Sequence, residues 1–234
     1  MTNLDMIEEI LEPLDRLTKD AKRAAANINI KEVESLVSLY YTVQEDRIRA
    51  ENKLRKLKEV NEPYSYIEWV YDNFWRHERS IHSILDVYSK STNICIWARS
   101  IRGIGPVISS GLHSQIDINK APTVGHIWRF AGLDPTVKWE RKEKRPWNAD
   151  LKTLCFKLGE SFIKVQNHPD DIYGKVYASR KVLEIERNEK GLFSDQATYA
   201  LKNKTYKKDT VAYQCYSKGM LPPAHIHARA RRYA

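Results

Sequence analysis

Apolar residues recur at spacings of three and four along most of this chain, and its first hundred residues lack the strict alternation of a half-buried strand. Leu36, Tyr40, Val43, Arg47, Ala50, Leu54 and Leu57 form a heptad stripe, with Glu45, Asp46, Arg49 and Lys53 off it. The stripe predicts a helix over residues 31–60. Arg47 interrupts its seam, so an intramolecular helical hairpin suits it at least as well as a homodimer through the same residues. Asn61-Glu62-Pro63 should end the helix, because proline disfavours helical geometry in the residue before it. A second helix, from Tyr66 to about Asn93, carries Ile67, Val70, Tyr71, Phe74, Ile81, Ile84, Leu85 and Tyr88 as core positions.

Punctuation becomes dense after Ile94: Gly103, Gly105 and Pro106, then Ala121-Pro122-Thr123, Gly132-Leu133-Asp134-Pro135 and Arg145-Pro146-Trp147-Asn148. Short helices fit between these breaks. From Asn148 to Gln166 an amphipathic helix is predicted, with Leu151, Leu154, Cys155, Leu158, Phe162 and Val165 on one face. Asn148 should cap it, with Asp150 in its first turn. Another helix should span Tyr173 to Asn188. Residues 189–220, polar and rich in Lys and Tyr, are expected as an insertion packing loosely on the domain. His225–Ala234 begins as a helix without a stop signal, so a clipped carboxy terminus is expected. The predicted fold is mainly α. A helical hairpin or short coiled coil over residues 1–95 precedes a helix-hairpin-helix domain over 96–234.

Composition narrows the function classes. The 234 residues suffice for one large domain or two small ones, and 42% hydrophobic with 29% charged residues is an ordinary globular mixture. No run of eighteen apolar residues occurs, and the stretch Met1 to Asp20 is acidic, unlike a signal peptide, so a cytoplasmic protein without a membrane partner is expected. Cys95, Cys155 and Cys215 are far apart and in no CxxC spacing, as suits reduced thiols; no metal or cofactor is expected. The net charge of +9 is uneven. Residues 1–95 hold 14 Lys/Arg against 17 Asp/Glu, whereas residues 96–234 hold 25 against 13, a balance of +12. Only the second half is suited to a polyanion such as nucleic acid.

One motif within that half carries specific chemistry. Ser100-Ile101-Arg102-Gly103-Ile104-Gly105-Pro106-Val107-Ile108-Ser109-Ser110-Gly111-Leu112 has the form of a helix-hairpin-helix element. Two glycines flanking an apolar residue make a tight turn, and Pro106 suits the first position of the second helix. Free amides at that helix start can hold a phosphate, aided by the helix dipole. Arg99 and Arg102 supply charge beside Gly103, Ile104, Gly105 and Val107. Contacts of this kind grip the backbone rather than the bases. A weaker second version runs from Thr123 to Pro135, with Thr123 capping a short helix that ends at Gly132 and Arg129 available to phosphates.

Gly103-Ile104-Gly105-Pro106, the following small-residue helix, Trp128-x-x-Ala131-Gly132-Leu133-x-Pro135, then a basic turn and a long helix, resemble one family in their order. It is the carboxy-terminal domain of the DEDD-type, bridge-RNA-guided insertion-sequence transposases and their DNA-invertase relatives. The resemblance covers residues 97–188 and, through His225, Ala228, Ala230, Arg231 and Arg232, the start of that domain's last helix. It implies a DNA-handling scaffold. The family's RNase-H-like domain, with four metal-binding carboxylates on a sheet, has no counterpart in residues 1–95. The family's serine nucleophile is also missing from the loop Thr136–Arg145, where Thr136 sits too close to the hairpin for that role. A scaffold without its catalytic parts is the expectation.

The turn from Lys138 to Arg145 remains basic. Lys138, Arg141, Lys142, Lys144 and Arg145 are five of its eight residues against two acidic ones, and Trp139 is available to stack on a base. His225-x-His227 lacks a carboxylate or cysteine partner for a metal, and Asp170-Asp171 and Glu184-x-Glu186 read as solvated faces. No P-loop, dinucleotide fingerprint or nucleophile elbow is present. The expected partner is therefore duplex or branched DNA in recombination or mobile-element metabolism. Two alternatives stand beside it: a structure-specific nuclease or recombinase with unrecognised catalytic residues, and a protein binding structured RNA or a host partner.

Overall fold

Local capping chemistry sets where the helices begin and end. The computed structural model describes residues 17–140 and 142–234, and among these it contains helices and no strand. In chain order the α-helices are α1 Lys19–Ala24, α2 Ile30–Glu59, α3 Ser65–Ser91, α4 Asn93–Arg99, α5 Pro106–Gln115, α6 Val124–Phe130, α7 Ala149–Lys164, α8 Tyr173–Glu189, α9 Ser194–Asn203, α10 Val211–Ser217 and α11 Pro223–Tyr233. The mainly α fold class is thereby established. The Asn29 side chain caps α2 by accepting from the Lys31 amide at 2.8 Å. At the other end Asn61 takes a left-handed conformation, φ 53°. Its amide donates to the Lys58 carbonyl and the Glu62 amide to the Leu57 carbonyl, the hydrogen-bond pattern of a left-handed helix cap. Asn61 thus stops the helix two residues ahead of Pro63, the residue the sequence pattern singles out.

Residues 31–60 find their partner inside the chain, where α2 packs along α3. On the heptad stripe Ala50 and Leu54 are buried, while Leu36, Tyr40, Val43, Arg47 and Leu57 are half-buried. The deepest positions are Val33 and Val37, at the amino end and off that stripe. There α2 also meets α5, so its buried arc swings around to face two helices.

Val33, Val37, Ile81, Leu85, Tyr88, Cys95 and Val107 form one core. This core corrects the domain boundary expected at residue 95, since it draws side chains from both sides of that point. The chain divides instead into one unit holding the described residues up to Ser100 with Gly105–Leu154, and a second holding Ile101–Ile104 with Cys155–Ala234. The boundary between Leu154 and Cys155 falls inside α7. Continuous helix hides it from any reading based on loops and turn residues.

The second unit corrects two further expectations. Ala197, Tyr216, Leu221 and Ile226 bury themselves in a common core to which α9, α10 and α11 contribute. Residues 189–220 are therefore part of the packing and not a loose insertion. Asn188 ties them down, its buried side chain donating to the Leu221 carbonyl at 2.9 Å and accepting from the Leu221 amide at 2.8 Å. Nor are Asp171 and Glu184 solvated, at 2% and 1% exposure. Asp171 accepts from the Gly174 amide at 2.9 Å in the first turn of α8. Burial alone would raise the Glu184 carboxyl, but bonds from Arg229 and Arg180, each at 2.6 Å, hold it below the usual carboxylate range.

In the first unit the interruption at Arg47 has an equivalent explanation. Arg47 reaches across to Glu78 of α3, and Gln44 donates to the same carboxylate at 2.8 Å. Burial opposes ionisation of Glu78, yet these donors outweigh it and depress its pKa. A charge in the seam is therefore tolerated because a partner desolvates with it.

Two outcomes follow. Leu54→Asp should lower stability by at least ~3 kcal/mol, as a buried unpaired charge does, and Val43→Asp by clearly less. Urea unfolding midpoints check this ranking. A depressed folded-state pKa contributes stability that is present above the ordinary glutamate value and lost as pH falls through the folded one. Glu78→Gln should accordingly be less stable than the parent at neutral pH. The gap should narrow between about pH 5 and pH 2 in pH-dependent melting curves.

Candidate nucleic-acid interface

The hairpin turn joins α4 to α5 and is built as its glycines suggest only in part. Gly103 has φ +101°, and a side chain there would meet the Phe162 ring at 2.8 Å. Ser161 adds a hydrogen bond from its hydroxyl to the Gly103 carbonyl at 2.6 Å. The turn closes through the Ile104 amide on the Ile101 carbonyl at 3.0 Å, with Ile104 half-buried. Gly105 differs: its backbone is extended, and a side chain would meet nothing within 4 Å. Gly103 therefore carries the steric requirement that the sequence pattern divides between two glycines. Pro106 opens α5 at its first position, and no side chain caps this helix start.

Side chains around the turn have separate fates. Arg99 binds the Asp86 carboxylate at 2.9 Å and the Ser89 hydroxyl at 2.7 Å, which commits its charge to the α3–α4 junction. Val107 lies in the core, so only its backbone is placed to meet a ligand. Arg102 is exposed.

The Thr123–Pro135 segment forms one helix, not a second hairpin. Thr123 caps α6, accepting from the His126 amide at 3.4 Å. Gly132, φ +66°, ends it, with the Leu133 amide on the Trp128 carbonyl at 2.8 Å. Arg129 is exposed in its last turn. No further helix forms before α7, because residues 131–148 close a loop. The Asn148 amide donates to the Phe130 carbonyl at 2.8 Å, which brings the loop's two ends together. Trp147 lies directly on Gly132, where any side chain would meet its ring at 2.7 Å. Asn148 also caps α7 through the Asp150 and Leu151 amides, at 2.9 and 3.0 Å.

The basic turn is the tip of this loop. Trp139 sits edge-on to Trp147 with ring centroids 6.1 Å apart, and its indole N–H donates to the Glu143 carbonyl at 2.9 Å. The Arg145 guanidinium lies 5.5 Å from the Trp139 ring. Trp139 thereby staples the tip to the base of the loop, an internal role beyond the stacking surface expected of it. Lys138, Lys142, Lys144 and Arg145 are exposed, and among the described residues no ion pair joins them to Glu140 or Glu143. Arg141 lies outside the described residues. Their positive field is left for solvent or a ligand.

Pattern reasoning missed three features. Trp147 anchors the loop; its place right after Arg145-Pro146 and beside the helix cap was the available signal. Lys152 adds a cation 4.1 Å over the Trp147 ring. In the second unit Lys202, Lys204, Lys207 and Lys208 are exposed between α9 and α10, where only a Lys-rich composition was visible. His225 and His227 contact tyrosines, His227 at 2.8 Å from the Tyr177 hydroxyl, and the described residues hold no group of three or more metal-ligating side chains. No helix among them is long and apolar enough to cross a membrane.

No family model matches this chain, and no curated protein or solved structure proved similar to it. The residues themselves carry whatever functional reading is made.

Gly103→Ala should cost ~1–2 kcal/mol through its backbone and the Phe162 contact. Gly105→Ala should cost no more than about 0.5–1 kcal/mol. Thermal unfolding of both variants checks the contrast, and equal losses would refute the assignment.

Proposed function

We propose that this chain is a nucleic-acid-binding protein, transposase-derived, which holds DNA by its phosphates without reading sequence and does not itself cut the strand. One observation carries the reading: the closed loop 131–148 presents an exposed, unpaired basic tip on an internally bonded frame. A solvated charged loop needs no such frame. Ordering these residues in advance lowers the entropy cost of gripping a polyanion. The uncapped start of α5 and exposed Arg102 and Arg129 supply further donors. The excess of Lys and Arg in residues 96–234 favours approach of a phosphate backbone from any direction. The order of the Gly-Ile-Gly-Pro, Gly-Leu-x-Pro and basic-turn motifs supports descent from a transposase scaffold in recombination or mobile-element metabolism. Loss of the family serine and carboxylates supports a role without cleavage.

Fluorescence anisotropy over a salt series tests the proposal on duplex DNA, branched DNA and structured RNA. Log affinity should fall linearly with log salt, with a slope of about −0.9 for each phosphate neutralised on duplex DNA. Changing Arg141, Lys142, Lys144 and Arg145 to Gln should weaken binding and flatten that slope by roughly 2–4, with melting unchanged. Affinity indifferent to salt, or a variant that binds like the parent, overturns the reading. Tighter binding to RNA than to either DNA would reassign the partner.

A further inference from the structure

The first unit holds a feature that phosphate binding does not use, an open groove of about 1330 Å³. Its walls are apolar: Ile30, Ile94, Trp97, Ile118, Ile127 and Phe130 line it. Trp97 and Ile118 are 62% and 60% exposed, although tryptophan and isoleucine are residues that folding normally hides. A contiguous exposed apolar surface of this kind marks a docking site. A polyanion does not fit it, because phosphates gain nothing from isoleucine and lose their hydration. The fitting occupant is an amphipathic helix laid apolar side down.

Such a segment exists in the chain outside the described residues. In residues 1–16, Leu4, Ile7, Ile10, Leu11 and Leu14 fall on one side at helical spacing. Asp5, Glu8, Glu9, Glu12 and Asp15 fall on the other, against a single basic residue, Arg16. A helix this short is marginal alone in water and needs a surface for its stripe. The groove complements it in charge as well. Lys31, Lys120 and Arg129 stand among its lining residues, and the first two meet only exposed carboxylates, Glu34 at 3.1 Å and Asp117 at 3.4 Å. The point of attachment is close. The described chain starts at Leu17, and the Ser91 hydroxyl holds the Ala26 carbonyl at 3.1 Å, three residues before Ile94 of the groove wall.

We propose that residues 4–14 of this chain dock in the groove between Ile94, Trp97, Ile118 and Phe130 as an acidic amphipathic helix. The contact is intramolecular, and it is independent of the nucleic-acid reading. Burying the stripe covers the exposed tryptophan and isoleucines, and the acidic side faces Lys31, Lys120 and Arg129.

Hydrogen exchange of the full chain, followed by mass spectrometry, tests this on peptides covering residues 3–12. In the parent these amides should exchange at least about tenfold more slowly than in the Ile7→Glu/Leu11→Glu variant. Trp97→Glu, at an exposed position that leaves the core alone, should abolish the same protection while α2 and α3 stay protected. Should Trp97→Glu fail to fold, the first variant decides the matter, since it lies outside the core. Light scattering is run on the same samples. Absence of protection in the parent, or protection that survives either variant, overturns the proposal. Protection that disappears on dilution with loss of a dimer overturns it too, by assigning the groove to a second copy.

Discussion

Gly111 is the point at which the first unit has no room to vary. A side chain there would meet Leu154 at 2.7 Å and Val37 at 3.1 Å, so the α5 backbone rests directly on residues of α2 and α7. Ser109 and Ser110, both fully buried, extend this thin face, and Ser110 reaches the Leu85 carbonyl at 3.5 Å. Close approach of α5 brings Val107 into the core beside Val33 and Leu85. It also fixes where the amides at the start of α5 point, and where α4 must return. A larger residue at 111 would push apart three helices at once, because close-packed interiors transmit strain rather than absorb it.

The same economy governs charge. Arg47, Arg99, Arg180 and Arg229 are engaged by Glu78, Asp86 and Glu184 within their own units. In Asp86, as in the two glutamates, burial works against ionisation, and the bonds from Lys90 and Arg99 prevail. Structural arginines are thus neutralised where they are desolvated, as the cost of an unpaired buried charge requires. The uncommitted cations lie on loops, at the 138–145 tip and between α9 and α10. This partition is what a surface suited to phosphate needs. Solvated cations keep their counterions until a polyanion replaces them, and release of those counterions supplies affinity.

The loop 131–148 shows how a flexible-looking sequence becomes a presented one. Three contacts close it: Asn148 on Phe130, Trp147 on Gly132, and Trp139 on Trp147. Each uses a residue that composition alone marks as turn or surface. Asn148 serves twice, closing the loop with its backbone and capping α7 with its side chain. The beginning of the long helix and the end of the basic loop are therefore one structural event.

By itself the sequence determined what depends on near neighbours. Heptad spacing located α2 and α3, the amphipathic face located α7, and Asn148 and Thr123 were legible as caps because a cap bonds amides two or three residues away. The Gly103 turn and the basic tip were legible for the same reason, since charge and backbone freedom are properties of the residues themselves. Tertiary structure decided the rest. Arg99 looked like a free cation until Asp86 was beside it, and Asp171 and Glu184 looked solvated until helices covered them. The division of the chain inside α7, and the packing of residues 189–220 into a core, left no local mark. Burial and charge pairing depend on which distant segments converge, and one-dimensional spacing does not contain that information.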